Sequence, residues 1–339
     1  MTGCDGHSGG PGPARSRVGV CGGPAPDRAV SLTDVSTLND LPAPSGEQWT
    51  IAAHGYEATV VEVGGGLRHL THDERDLVCG YAVEAMADAA RGHVLTPWPN
   101  RIDGGRYSFD GEDYLLAHTE PGLANASHGL VQWLAWDLVE RSTHRLTVGV
   151  TLHPQPGWAW TLRVEMTYSL DPDGLTVTPN VTNLSSTACP FGFGAHPYLT
   201  AGESSLDDAD LTLDVATQLT VDERLIPTGR ETSTHDFSGG LPLEGVSLDT
   251  CFTDIGVTDG RWRASVTSGS RTTTLWADAS AYRYVQTFTG DGLPEPKNRR
   301  SGLAVEPMTC PANAFNTGEG LLTLAPGETW SAQFGITGA

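Results

Sequence analysis

Trp160-Thr161-Leu162-Arg163-Val164-Glu165-Met166-Thr167-Tyr168-Ser169-Leu170 alternates apolar and polar side chains without a break. A period of two sends successive side chains to opposite faces of a sheet, one buried and one wet. Asp171-Pro172-Asp173-Gly174 then supplies turn chemistry, after which Leu175, Val177 and Val181 resume the alternation against Thr176, Thr178, Asn180 and Thr182. Upstream, Leu146, Val148, Val150 and Leu152 keep the same spacing, as do Tyr282, Tyr284, Gln286 and Phe288, then Trp330, Ala332, Phe334 and Ile336 downstream. Only Tyr81 to Arg91 has helical composition, with Gly92 placed to end a short helix there. No internal repeat divides the chain into blades. The pattern predicts an all-β fold, a large antiparallel β-sandwich forming a single domain over residues 45–339.

Residues 1–44 differ in kind. They are rich in Gly, Pro, Ser and Ala and show no apolar periodicity, so they are expected to form a disordered extension. Gly6-His7-Ser8-Gly9-Gly10 matches a GxSxG nucleophile elbow in form, but neither a strand nor a helix flanks it.

The chain of 339 residues carries 41 Asp and Glu against 20 Lys and Arg, a formal charge of −21. Such an excess repels nucleic-acid backbones and anionic membranes, so neither is an expected partner, and a neutral small molecule suits it better than a phosphorylated one. Lys297 is the only lysine, which removes Schiff-base chemistry and GK phosphate loops from consideration everywhere else. Six scattered cysteines form no CxxC pair, no apolar run is long enough to cross a membrane, and the N-terminus lacks the apolar core of a signal peptide. A cytoplasmic protein with reduced thiols is expected.

Four irregular stretches stand out as places for chemistry. They are Thr96-Pro97-Trp98-Pro99-Asn100-Arg101, Ser127-His128-Gly129, Phe191-Gly192-Phe193-Gly194-Ala195-His196-Pro197-Tyr198 and Val305-Glu306-Pro307. Singly, each has a structural reading: a surface arginine, a loop histidine, a carboxylate where a strand stops. Two features raise them. Glu306 closes an apolar strand, where a charge is expensive unless partnered, and Gly192 and Gly194, shortly before His196, let backbone and substrate approach closely. No HExxH occurs, and His69 and His72 are the only close histidine pair, so no metal site is expected. No GxGxxG follows a strand, which leaves a nicotinamide or flavin without a site. A paired-carboxylate chemistry, Asp249 or Asp254 with Glu306, stays open on residue types alone.

Taken together and in order, these pieces resemble the aldose 1-epimerase (galactose mutarotase) family, in particular its bacterial branch with a Pro-Trp-Pro-Asn-Arg segment. The matching stretches are Pro97 to Ile102, Gly105 to Gly111, His128-Gly129, Ala195 to Tyr198, Leu248 to Asp254 and Val305 to Pro307. The resemblance implies a β-sandwich that interconverts the anomers of a free aldose without metal or cofactor. It implies His196 as general acid, Glu306 as general base, and Arg101, His128, Asp249 and Gln286 as substrate-binding residues. The Ala-His-Pro-Tyr context of His196 departs from the Asn-His-Ser-Tyr form common in the family, which bears on which sugar is taken. Two alternatives accompany this expectation. A sugar-phosphate 1-epimerase would need a cationic pocket, for which only Lys297, Arg299 and Arg300 cluster. A non-catalytic carbohydrate-binding module of the same fold would need no proton-transfer pair.

The chemistry asked of such a pair is simple. Opening a pyranose takes a proton from the anomeric hydroxyl and gives one to the ring oxygen, and closure after rotation about C1–C2 reverses both transfers. A carboxylate and an imidazole have ordinary pKa values on either side of the mildly acidic range, and so suit the two roles. Trp98 is a candidate to stack on the sugar's apolar face.

Overall fold

A computed structural model describes residues 43–339 apart from 121, 203 and 204. The expected extension, with its GxSxG match, therefore lies outside the described residues except for positions 43 and 44. Strands dominate, and two large sheets carry the architecture. The stretch Leu162–Asp171 pairs antiparallel with Arg145–Leu152 on one side and Gly174–Asn183 on the other, Met166 lying opposite both Val148 and Pro179. The Asp-Pro-Asp-Gly turn sets that second register, with Asp171 opposite Gly174. Outward from Gly174–Asn183 the sheet continues through Phe334–Gly338, Arg271–Asp278, Arg261–Ser268 and Asp210–Leu213.

A second sheet runs in the order Pro227–Thr232, Val215–Val221, Asp249–Ile255, Tyr284–Phe288, Leu303–Met308, Gly194–Ala195 and Val94–Leu95, with Tyr198–Leu199 also on Leu303–Met308. One continuous apolar core draws Val148, Val164, Met166, Val177, Leu275 and Ile336 from the first sheet and Phe252, Val285 and Val305 from the second. Burying such side chains stabilises the fold by about 1.5–3 kcal/mol each. On Leu303–Met308 all six residues are buried: Leu303 and Val305 meet this core, Met308 packs with Leu219, Cys251 and Tyr284, and Glu306 faces a cavity.

Two local expectations are corrected. Tyr81 to Arg91 is not helical: Ala89 and Ala90 take φ of 47° and 57°, and hydrogen bonds from Ala85 N–H to the Ala82 carbonyl and from Arg91 N–H to the Asp88 carbonyl close separate turns. An isolated helix this short is marginal in water. Here side chains hold the turns instead, Tyr198 Oη donating to the Ala89 carbonyl at 3.0 Å and Asn298 to Asp88 at 2.6 Å. Nor does Glu306 close its strand, which runs on through Pro307 to Met308, Pro307 lying opposite Val285. Among the described residues no helix is long and apolar enough to cross a membrane.

Candidate active site

Strand register places the site. Gln286 lies opposite Glu306 on one neighbour and opposite Cys251 on the other, so their side chains share a face, and Asp249, two residues from Cys251, shares it too. On the far side of Leu303–Met308, Gly194 pairs with Met308 and Tyr198 with Ala304. Midway between those pairings, His196 falls opposite Glu306. Its Nε2 stands 3.2 Å from Glu306 Oε1, although 110 positions separate the two in the chain.

The backbone of His196 is fixed from both ends. Its N–H donates to the His93 carbonyl at 3.1 Å, and its carbonyl accepts from Gly92 N–H at 2.9 Å. Tyr198 stacks on the imidazole with ring centroids 5.1 Å apart and planes 15° from parallel. The Arg91 guanidinium covers the Tyr198 ring at 4.1 Å.

A small antiparallel pairing of Arg101–Ile102 with Ala126–Ser127 brings the next two groups together. His128 N–H donates to the Asn100 carbonyl at 2.8 Å, with both residues at positive φ. Gly129 must be glycine, since a Cβ there would stand 2.0 Å from the Thr96 carbonyl oxygen. The His128 ring meets His196 nearly edge-on, centroids 5.5 Å apart. Arg101 is gripped in two-pronged fashion by Glu120, Nε to Oε2 at 2.8 Å and Nη2 to Oε1 at 3.0 Å, while Nη1 donates to Asn100 Oδ1 at 3.2 Å. Gln286 Nε2 donates to Asp249 Oδ1 at 2.6 Å.

All six residues expected from the sequence, Arg101, His128, His196, Asp249, Gln286 and Glu306, line one cavity of about 330 Å³. Its floor is buried, with Glu306 2% and His196 4% exposed. Burial pushes the Glu306 carboxyl well above the ordinary carboxylate range, the nearby Asp249 carboxyl adding to the rise and Arg101 opposing it. Burial likewise draws His196 well below the ordinary imidazole range, with His128 and His93 adding to the fall. Both directions have one cause: a dry environment disfavours a net charge on either group. Glu306 is thereby a stronger base than a free carboxylate, and protonated His196 a stronger acid than a free imidazolium. His128 is drawn down to about 3 by burial, then by Arg101 and His93, so it meets a ligand as a neutral imidazole. Asp249, at the rim, is raised by desolvation against the lowering pull of Arg101 and Gln286. His196 Nδ1, His128 Nδ1 and Glu306 Oε2 are buried without a protein hydrogen-bond partner.

Other sequence candidates fall elsewhere. Trp98 is buried and packs against Phe315, with centroids 5.7 Å apart, instead of lining the cavity; its core use wins over stacking on a sugar. Asp254 is exposed and lines a different depression, so it does not pair with Glu306. Arg300 is bound to Asp207 and Asp291, and Arg299 donates to the Leu293 carbonyl, which leaves no cationic cluster in the cavity. His69 contacts Asp76, and His72 stacks on Tyr56. The sequence reading missed Glu120, Asn100, Gln132 and Trp133, which also line the cavity. Asn100 was within reach as the neighbour of Arg101. Glu120 carries no local signal, because its role depends on the fold of the segment that returns to Arg101.

A twisted two-sheet β architecture with an imidazole and a carboxylate at the floor of a polar cavity defines a galactose mutarotase-like β-sandwich. The chain belongs to the aldose 1-epimerase family, whose sequence model matches residues 47–337. It is 35% identical over 301 residues to the uncharacterized protein YihR of Escherichia coli K12, covering 87% of this chain and 94% of that one. It is 34% identical over 167 residues to human galactose mutarotase, 47% of this chain and 44% of the human one. Among solved structures, a putative aldose 1-epimerase from Escherichia coli K12 superposes with a TM-score of 0.76 at 21% identity, covering 86% of this chain and 99% of the other. A galactose 1-epimerase from Lactobacillus acidophilus gives 0.72 at 18%, covering 86% and 94%. At those identities the structural likeness establishes the fold.

Proposed function

We propose that the protein interconverts the α and β anomers of a free, neutral aldose, with Glu306 as general base and His196 as general acid. The observation that carries the reading is the 3.2 Å approach of His196 Nε2 to Glu306 Oε1 on the floor of a cavity that also holds Arg101, His128, Asp249 and Gln286. Glu306 takes the proton of the anomeric hydroxyl as the C1–O5 bond breaks, and His196 delivers one to O5. The open-chain aldose then faces a protonated carboxyl and a neutral imidazole, the two uncharged forms that burial favours. Rotation about C1–C2 presents the other face of the aldehyde, and the same groups reverse roles to close the ring. The protons are therefore restored at the end of each turnover. Each well-placed acid or base contributes on the order of 10²–10⁴ in rate. Arg101, His128, Asp249 and Gln286 hold the hydroxyls that fix the ring between them.

The absence of a cationic cluster from the cavity supports a neutral substrate over a sugar phosphate. The reading treats residues 45–339 as one domain that carries the whole activity, in the cytoplasm, with residues 1–44 as an extension outside it. Polarimetry of freshly dissolved α-glucose and α-galactose tests it: optical rotation relaxes faster with the protein than without. Unchanged relaxation across a panel of aldoses, with sugar binding seen by calorimetry, favours a binding module instead.

A further inference from the structure

Arg91 is 3% exposed, yet it is incompletely paired. Its Nε donates to Asp88 Oδ1 at 3.1 Å and its Nη1 to the Cys79 carbonyl at 3.1 Å, whereas Nη2 is buried with no protein hydrogen-bond partner. A buried charge that is only partly satisfied is a poor stabiliser, and fold stability alone is a weak reason to keep one. Its guanidinium covers the Tyr198 ring, and the same ring stacks on the imidazole of His196. Tyr198 is tied at both ends: Oη donates to the Ala89 carbonyl, and its own carbonyl accepts from Cys79 N–H at 2.7 Å. Cation, phenol ring and imidazole are thus in contact in series. Neither Arg91 nor Tyr198 lines the cavity, so any effect of the series on a bound sugar passes through His196.

We infer that Arg91 is a positioning residue for the general acid: through the Tyr198 ring its guanidinium holds the His196 imidazole stacked with Nε2 turned to Glu306, and its charge favours release of the imidazole's proton to the sugar. This rests on the proposed anomer exchange at Glu306 and His196 and deepens it. A guanidinium is drawn to the face of a phenol ring, more strongly where water is excluded. A ring pinned in that way spends less time turned out of line for proton transfer. The charge acts in the same sense on both limbs of the pH profile, because a nearby cation makes a proton easier to remove from the His196–Glu306 pair and harder to add. Asp88 and Tyr198 face Arg91 and offset part of that charge. The pair is also faced by His128 and His93, and by Asp249 and Arg101.

The test measures glucose anomer exchange by NMR against pH for the full chain and its Arg91→Met, Arg91→Lys, Tyr198→Leu and Arg91→Met/Tyr198→Leu variants. Arg91→Met is expected to lower kcat roughly three- to thirtyfold with KM within about twofold of wild type, and to move both limbs to higher pH. Arg91→Lys keeps the charge and should restore both limbs. The double variant should lose little beyond Tyr198→Leu alone, since the two residues act in one series. Additive losses, or a fall in kcat with unmoved limbs, make Arg91 a structural residue and overturn the inference, as does wild-type behaviour of Arg91→Met. Should Arg91→Met not fold, Tyr198→Leu decides: it keeps the Asp88 and Cys79 contacts, and an unchanged kcat and profile refute the series. If the wild-type protein exchanges no anomers at all, the proposed activity fails. The ring-nitrogen NMR resonances of His196, assigned with His196→Gln, then decide the role of Arg91. Displacement in Arg91→Met with return in Arg91→Lys sustains it, and superimposable resonances refute it.

Discussion

Replacing Glu306 by Gln keeps the shape of the side chain and removes its basicity. Glu306 is 2% exposed, its Oε2 has no protein hydrogen-bond partner, and burial holds its carboxyl well above the ordinary range. A group with that displacement is less stable ionised in the folded chain than in the unfolded one, so an uncharged amide relieves a penalty. The amide still reaches the imidazole. Glu306→Gln is therefore expected to leave Tm unchanged or higher, whereas kcat/KM falls on the order of 10²–10⁴, about 3–5 kcal/mol of lost transition-state stabilisation. The assay is NMR saturation exchange between glucose anomers, with differential scanning calorimetry on the same samples. Activity within threefold of wild type in a folded variant removes Glu306 as the base. A large fall in Tm alongside the loss of rate would mean that the carboxylate is a structural anchor, contrary to the argument from burial.

Three further outcomes follow from the geometry. The pH profile of kcat/KM is expected to be bell-shaped with a broad plateau, since burial opposes both adding a proton to the net-neutral His196–Glu306 pair and removing one; its limbs belong to the pair, and a single limb in the wild type would show that only one group titrates in catalysis. His93, buried and drawn down to about 4, takes up its proton more readily when unfolded, so stability is lost as pH falls from about 6.5 toward 4; His93→Asn should flatten the slope of unfolding free energy by up to about 1.4 kcal/mol per pH unit in that window, measured by urea titration, and an unaltered slope refutes the assignment. Gly92→Ala puts a Cβ 2.1 Å from the Leu67 carbonyl oxygen at a φ of +75°, beside the hydrogen bond that fixes the His196 carbonyl; a loss of roughly 2–4 kcal/mol in urea denaturation is expected, together with a fall in kcat.

Much of this molecule was legible because a sheet writes its period directly into the chain. The alternation from Trp160 to Leu170 needed only its turn residues to locate its partners. Glu306 was conspicuous as a charge in an apolar run, and His196 as an imidazole among glycines and aromatics. Their facing was not legible from local signals, since it follows from the pairing of Gly194 with Met308 and Tyr198 with Ala304; the family resemblance stood in for that register. Where the reading failed, tertiary contacts overrode composition. The Tyr81–Arg91 segment gave up a helix for turns tied to Tyr198 and Asn298, and Trp98 serves the core although Asn100 and Arg101, two and three residues on, line the cavity. Glu120 was invisible because an ion pair across an irregular return has no spacing to recognise.

The ladder between Leu303–Met308 and its two short neighbours has a consequence for how such a protein can diverge. Adding or deleting a single residue between Gly194 and Tyr198 would turn the imidazole to the opposite side of the sheet, whereas the loops that join the strands between Leu199 and Leu303 can lengthen or shorten without shifting that alignment. Variation among relatives should therefore gather in the connections, while the few residues flanking the imidazole admit substitution but not insertion.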